Sequence, residues 1–288
     1  MTGATMGCVY ALIAVASSLT YRIVGTVNFT QGPMLLVAAL LTASLARIVP
    51  PNWLAAQIAA LVSLALVVGV LVLTEALIAR RALRVGGMLG WLFATLGIGI
   101  VLQGAAVLIW GSAAVPFPDV IFTARSYLPL FGAQIPLRKV AIPAIAIAAI
   151  VLTETLLRTT LWGRAMRAAS INADLAAMQG ISLSRVALLA GLVSALLAGL
   201  AGLLMAQIAG PIGPAFGLRL MMLGFIAALL GGLGSTRGAI IGGLLVGLAD
   251  GVIGGLLAPS AGHAILLAVL ILLLTHRPRG LLGRPGIA

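Results

Sequence analysis

Acidic side chains are the first candidates for chemistry in this chain, which has only five of them among 288 residues. Four lie in loops or near the ends of apolar runs, and Glu154 stands four residues before Arg158, where a helix would pair the two. Asp250 alone falls within a long apolar run. An ionisable group in such a run is by default a functional candidate, and a hydrogen bond to a nearby polar group is the open alternative.

The sequence shows no arrangement typical of an enzyme. Cys8 has no second cysteine, and His263 and His276 stand at the ends of apolar runs. Because these positions give neither metal-ligand spacing nor a nucleophile with its base, we predict no catalytic residue, no metal and no cofactor. The glycine-rich run 231–238 is superficially similar to a phosphate-binding loop, but the only lysine of the chain is Lys139. Without a Walker motif, the chain is not expected to hydrolyse ATP itself.

Composition places these residues in a membrane protein. The chain is 62% hydrophobic and 8% charged, with a mean hydropathy of +1.25. A water-soluble fold cannot bury so much apolar surface, so lipid must cover much of it. The net charge of +12 does not indicate nucleic-acid binding, because the arginines stand between apolar runs instead of forming one soluble basic face.

The elements that must position the polar residues are membrane-spanning helices. We predict an all-α, polytopic membrane protein with eight to nine transmembrane helices, since each apolar run nears the ~20 residues that span a bilayer. The runs are 6–24, 33–49, 54–79, 88–111, 137–157, 184–208, 218–234, 239–257 and 263–275. The second, seventh and ninth are short, which leaves eight full crossings as an alternative.

Arginine placement predicts the orientation. If the loop 80–87 is cytoplasmic, alternation puts twelve of the 17 basic residues on that side and five on the other. This bias follows the positive-inside rule, with the amino terminus outside and the carboxyl terminus in the cytoplasm. The longest external segment, 112–136, is then too short for a folded domain and is predicted to be a lid, a docking surface or a connector.

The segment 158–183 is the longest polar interruption on the cytoplasmic side. It is rich in small residues and arginines. A membrane protein that keeps such a loop is expected to present it to a cytoplasmic partner.

Glycines predict close helix packing. Gly243, Gly247, Gly251 and Gly255 recur every four residues and therefore share one helical face, where a second helix can approach closely.

Several sequence blocks carry a resemblance to one family. They are 3–12, 27–32, 163–168 with 174–180, 197–202, 231–235 and 277–281. In their order they resemble the permease subunits of branched-chain amino acid ABC transporters, the high-affinity leucine/isoleucine/valine uptake type, and the first of its two permease types. Four positions depart from the family pattern. Gln31 stands where the family usually has His, Pro33 where it often has Glu, Asp174 in place of Glu and Leu175 in place of Ala.

This resemblance implies an ABC importer permease fold, with residues 1–288 as a single transmembrane permease domain in a bacterial cytoplasmic (inner) membrane. It implies that the loop 158–183 couples to an ATPase, through Gly163, Arg164, Arg167, Asp174, Ala176, Ala177 and Gly180. Candidates for the translocation path are Asn28, Phe29, Gln31, Gly32 and Asp250, although the first three are equally consistent with a polar helix break at the cytoplasmic face.

The implied partners are a second permease subunit, two ABC ATPase subunits, an extracytoplasmic substrate-binding protein and membrane lipid. Arg164 and Arg167 would hold acidic ATPase residues or lipid phosphates. The departures leave the substrate open, since related members carry amides or urea. Two other functions are kept as alternatives: a self-contained secondary carrier or channel, and a membrane anchor subunit of a redox or secretion complex.

Overall fold

The computed structural model describes residues 2–48, 53–74, 80–119, 127–130 and 133–256, together with 268, 275 and 280–282. These ranges contain ten helices and one β-hairpin. The helices are α1 (Thr2–Val24), α2 (Gln31–Ile48), α3 (Trp53–Thr74), α4 (Arg80–Trp110), α5 (Arg138–Thr159), α6 (Leu161–Ile171), α7 (Ala173–Met178), α8 (Leu183–Ala209), α9 (Phe216–Gly231) and α10 (Thr236–Leu256). The strands are β1 (Tyr127–Leu130) and β2 (Ala133–Pro136).

Seven of the described helices are long and apolar enough to cross a membrane: α1, α2, α3, α4, α5, α8 and α10. The apolar helix α9 is shorter, with 16 residues. These eight helices coincide with the first eight predicted runs and confirm an all-α, polytopic fold. The ninth predicted run, 263–275, and Glu75 lie outside the described residues, apart from positions 268 and 275.

Helix α1 forms the centre of the bundle. Its residues from Val9 to Ala16 are at most 3% exposed, and they pack in one cluster with residues of α5, α8, α9 and α10. By contrast, α3, α4 and α5 expose large apolar side chains, such as Val101 at 70%. A helix that is apolar and buried all round belongs in the core, whereas an exposed apolar face suits contact with lipid.

The loop that joins α4 and α5 contains structure that the sequence did not predict. Strands β1 and β2 pair antiparallel, with Tyr127 opposite Pro136 and Leu130 opposite Ala133. Proline in both strands hides the strand pattern, because proline is confined to positions where no ladder hydrogen bond is needed. Earlier in the same loop, Val115 forms an isolated antiparallel bridge with Ile212, so this loop is tied to the connection between α8 and α9.

Candidate functional site

A break between α1 and α2 holds four of the predicted path residues. Helix α1 ends at Val24, α2 begins at Gln31, and the non-helical connection contains the buried residues Thr26, Asn28 and Thr30. The connection runs along α4. Gly25 lies next to the Met88 sulfur, and the Phe29 carbonyl oxygen lies 3.1 Å from where a Cβ would stand on Gly99. An added side chain at Gly99 would therefore push this segment away.

Gln31 is the centre of a buried polar cluster. Its side chain is 1% exposed. The Ser17 hydroxyl donates to Gln31 Oε1 at 2.7 Å, and Gln31 Nε2 donates to Ser194 Oγ at 2.5 Å and to Thr20 Oγ1 at 3.3 Å. The amide thus uses both its acceptor and its donors, and it joins the start of α2 to α1 and α8. A buried amide needs this pairing, because each unmade hydrogen bond costs about 1–3 kcal/mol.

The partners of Gln31 show that α2 begins inside the bundle. Ser17 lies seven residues before the end of α1, and Ser194 lies eleven residues after the start of α8. At about 1.5 Å per residue, these positions are roughly 10 Å and 16 Å from the helix ends. The connection therefore turns back into the protein, and whether it is part of a path or a polar helix break at the cytoplasmic face stays a prediction.

Local hydrogen bonds shape the turn into α2. Asn28 Oδ1 accepts from the Thr30 backbone N–H at 3.0 Å and from the Thr30 hydroxyl at 2.5 Å. The Thr30 carbonyl then accepts the first helical bond, from the N–H of Met34. Pro33 lies in the first turn, where a missing N–H does no harm. Gly32 allows a close crossing with α9, since its Cβ position is 3.1 Å from the Met221 sulfur and 3.3 Å from the Gly217 oxygen.

Asp250 lies elsewhere, between α10 and α1. The Tyr10 hydroxyl donates to Asp250 Oδ2 at 2.8 Å, and Tyr10 is 1% exposed. Tyr10 is two helical turns from Ser17, so Asp250 does not join the Gln31 cluster. This bond gives the carboxylate the polar partner that it needs inside an apolar run. In the described part of the chain, no three His, Cys, Asp or Glu residues lie together as metal ligands.

The loop 158–183 folds into two short helices, α6 and α7. Thr160 begins α6, and its hydroxyl accepts from the Gly163 N–H at 3.1 Å. Asn172 separates the helices, because its Oδ1 accepts from the Leu175 N–H at 3.0 Å. Side-chain caps of this kind fix where each helix starts. Gly180 follows α7 with φ +81°, a conformation that glycine adopts without strain.

The predicted coupling residues divide into buried and exposed sets. Gly163 lies against the Leu157 backbone with no room for a Cβ, and Ala176 is 4% exposed, in a cluster with α8. Arg167 donates to the carbonyl oxygens of Leu157 and Arg158, so it closes the end of α5. The exposed residues are Arg164, Asp174, Ala177 and Gly180.

Besides Leu161 and Trp162 at the start of α6, three further exposed apolar residues of this loop were not predicted. Ile171, Leu175 and Met178 are 86%, 59% and 84% exposed. We call them the apolar tip. One sequence feature could have indicated these residues, because Leu175 replaces an alanine of the family pattern.

The glycine face of α10 lies against α1. Gly243, Gly247 and Gly251 oppose Ala11, Gly7 and Gly3, and the Cβ position of Gly251 is 2.5 Å from the Gly3 Cα. The remaining member, Gly255, is in the last described turn of α10, and its surroundings lie outside the described residues.

Comparison with known proteins agrees with the resemblance found in the sequence. A family described as "Branched-chain amino acid transport system / permease component" matches residues 1–274. The permease LivH of the high-affinity branched-chain amino acid transport system of Escherichia coli K12 is 31% identical over 99% of this chain and 94% of its own length. Salmonella typhimurium LivH is 30% identical over the same shares, and Pseudomonas aeruginosa BraD is 28% identical over 100% and 95%. No solved structure matches the chain. The predicted family is therefore confirmed, and the chain belongs to the permease components of branched-chain amino acid transport systems.

Proposed function

We propose that this chain is the membrane subunit of an ABC importer, and that separate ATPase subunits power it through α6 and α7. The observation that carries this proposal is the apolar tip. Three large apolar side chains stand exposed on a polar loop, where a soluble partner must cover them. The caps at Thr160 and Asn172 hold the two helices in a fixed shape, as a docking element requires.

The α1–α2 break is the proposed core of the translocation path. Non-helical backbone at membrane depth is tolerated only where protein buries it or where it lines a cavity, and broken helices mark the substrate sites of many transporters. Asn28, Phe29, Gln31 and Gly32 all lie at this break. Asp250 has a separate role in our proposal: with Tyr10 it joins α10 to α1.

The proposed substrate is a branched-chain amino acid, the class that the names of the relatives give. An apolar surround suits a side chain that needs no polar partner. A permease for amides or urea is the alternative, because Gln31 is an unusual residue at its position.

In the proposed assembly the chain forms one transmembrane domain over residues 1–288. It pairs with a second permease subunit, two ABC ATPases and an extracytoplasmic substrate-binding protein. Arg22, Arg158, Arg167 and Arg237 line one cavity at a single end of the bundle. We place that end, with α6 and α7, in the cytoplasm by the positive-inside rule.

Co-purification tests this proposal. The tagged chain is isolated from its native membrane in mild detergent, and the proteins that accompany it are identified by mass spectrometry. We expect a second permease and Walker-containing ATPases. A double variant, Leu175→Ser with Met178→Ser, should lose the ATPases, because it removes two of the three apolar contacts of the tip.

Leu108→Ser is the matched control. Leu108 is 88% exposed on α4, so this variant removes an exposed apolar side chain away from the loop. If the wild-type chain elutes alone as a stable homo-oligomer, the coupling argument is wrong, and a self-contained carrier becomes the better hypothesis.

A further inference from the structure

The cavity at the arginine-rich end is a second candidate site. Its volume is about 480 Å³, within the roughly 300–1,000 Å³ of small-molecule pockets. It lies where the ends of α1 and α5 meet α6 and the turn before α10. Four arginines line it, Arg22, Arg158, Arg167 and Arg237, with Glu154 as the single acidic residue.

The charge of the cavity is far from balanced. Four guanidinium groups and one carboxylate give a net charge of +3. Glu154 is already occupied, because Arg158 pairs with it at 2.8 Å. Arg167 donates to backbone carbonyls, which are neutral, and the described residues give Arg237 no carboxylate either. An anion inside the cavity would therefore meet at least two cations that have no anionic partner in the described structure.

The start of α10 adds donors at the same place. Thr236 and Arg237 begin this helix and line the cavity. The Ser235 hydroxyl accepts from the Gly238 N–H at 3.1 Å, which fixes the helix start. A helix amino terminus carries a partial positive charge that favours phosphate and other anions, so it reinforces the arginines here.

Apolar side chains form much of the rest of the wall, and exposed apolar residues stand next to them in the sequence, at the end of α5 and the start of α6. Leu19, Ile23, Leu157 and Met166 line the cavity between the arginines. Nearby, Leu156, Leu161 and Trp162 are 48%, 75% and 54% exposed. An exposed tryptophan beside leucines is typical of the boundary between headgroups and acyl chains. A ligand with an anionic head and apolar tails fits both parts of this surface.

We propose that the cavity binds the phosphate headgroup of an anionic phospholipid, with the acyl chains on the apolar surface beside Leu161 and Trp162. The bound lipid links the end of α5 and helix α6 to the turn before α10. Basic pockets between transmembrane helices bind anionic headgroups in this way. The inference is independent of the import function, because it needs only the membrane and the cavity.

Native mass spectrometry of the purified chain tests this proposal, with phosphatidylglycerol as the probe and phosphatidylcholine as the neutral lipid. We expect the wild-type chain to retain phosphatidylglycerol preferentially. Arg237→Gln should weaken that binding about fivefold, since one basic residue near a membrane surface contributes about 1 kcal/mol. Arg237→Lys, which keeps the charge, should recover most of the affinity.

Arg185→Gln is the matched control, because Arg185 is exposed near the start of α8 and does not line the cavity. Equal phosphatidylglycerol affinities for Arg237→Gln and Arg185→Gln would overturn the proposal. Thermal stabilisation of the lipid-free chain by inorganic phosphate, as strong as that by phosphatidylglycerol, would assign the cavity to free phosphate instead. Loss of co-purifying ATPases in Arg237→Gln, with unchanged lipid binding, would show that Arg237 contacts a partner protein and not a lipid.

Discussion

Replacing Gly247 by alanine tests how closely α1 and α10 must pack. A Cβ at this position would lie 2.8 Å from the Gly3 carbonyl oxygen and closer still to the Cα and N of Gly7. Ordinary contact begins at 3.4 Å, and the opposing atoms are backbone, which no side-chain rotation can move. The two helices must therefore separate by on the order of 1 Å, the scale of misfit that makes overpacked cores unstable.

The cost of that separation follows from lost van der Waals contact. A gap of 0.5–1 Å forfeits about a quarter to a half of each contact energy of ~0.1–0.2 kcal/mol. Over roughly 40 atom pairs along the interface, this amounts to about 1–4 kcal/mol of unfolding free energy. For a chain of this size, the melting temperature should fall by roughly 2–7 °C.

The assay is the thermal stability of the purified protein in detergent, measured as the fraction that remains monodisperse after heating. Gly254→Ala is the matched control, because it makes the same change on the same helix, where a Cβ has nothing within 4 Å. Both variants gain the same helix propensity. If Gly247→Ala is as stable as Gly254→Ala, the close approach of the two helices does not limit stability, and the reasoning is refuted.

Three further substitutions test the site. Gln31→Leu should abolish uptake in reconstituted vesicles, and it should lower stability by about 1–3 kcal/mol because Ser17 and Ser194 lose their buried partner. Tyr10→Phe should lower stability by about 1.5–3 kcal/mol, the contribution of a hydrogen bond to a charged group, as measured by thermal unfolding. Gly163→Ala should displace α6 from the end of α5, and a pull-down should recover less ATPase with it.

Controls keep these predictions separate from general damage. Gln31→Asn keeps an amide, so its stability should lie between those of the wild type and Gln31→Leu. Equal stability for all three proteins would show that the hydrogen bonds of Gln31 do not stabilise the fold. Tyr21→Phe removes a hydroxyl from the same helix as Tyr10→Phe and should be nearly neutral. For Gly163→Ala, an unchanged ATPase yield would show that α6 tolerates the extra methyl group.

Length and apolar content made the membrane helices predictable, since a run near 20 residues has few other fates in a chain this hydrophobic. The caps at Thr160 and Asn172 are local, so the helical character of the loop could also be expected. The depth of Gln31 could not, because it depends on Ser194, which is 163 residues away in the chain. Likewise, the exposure of Met178 depends on how α7 packs against the other helices, and the neighbouring sequence does not determine that packing.

The buried start of α2 also bears on what the path must exclude. An importer has to pass a solute without letting protons or metal cations leak along the same route. The amino-terminal end of a helix carries about half a positive charge, and in a medium of low polarity that charge acts over a longer range than it does in water. Because α2 begins roughly 10–16 Å inside the bundle, beside the polar groups of Gln31, its end would repel cations where hydrogen-bonding groups would otherwise admit them. In the proposed translocation path, this helix end would therefore act as an electrostatic barrier to cations.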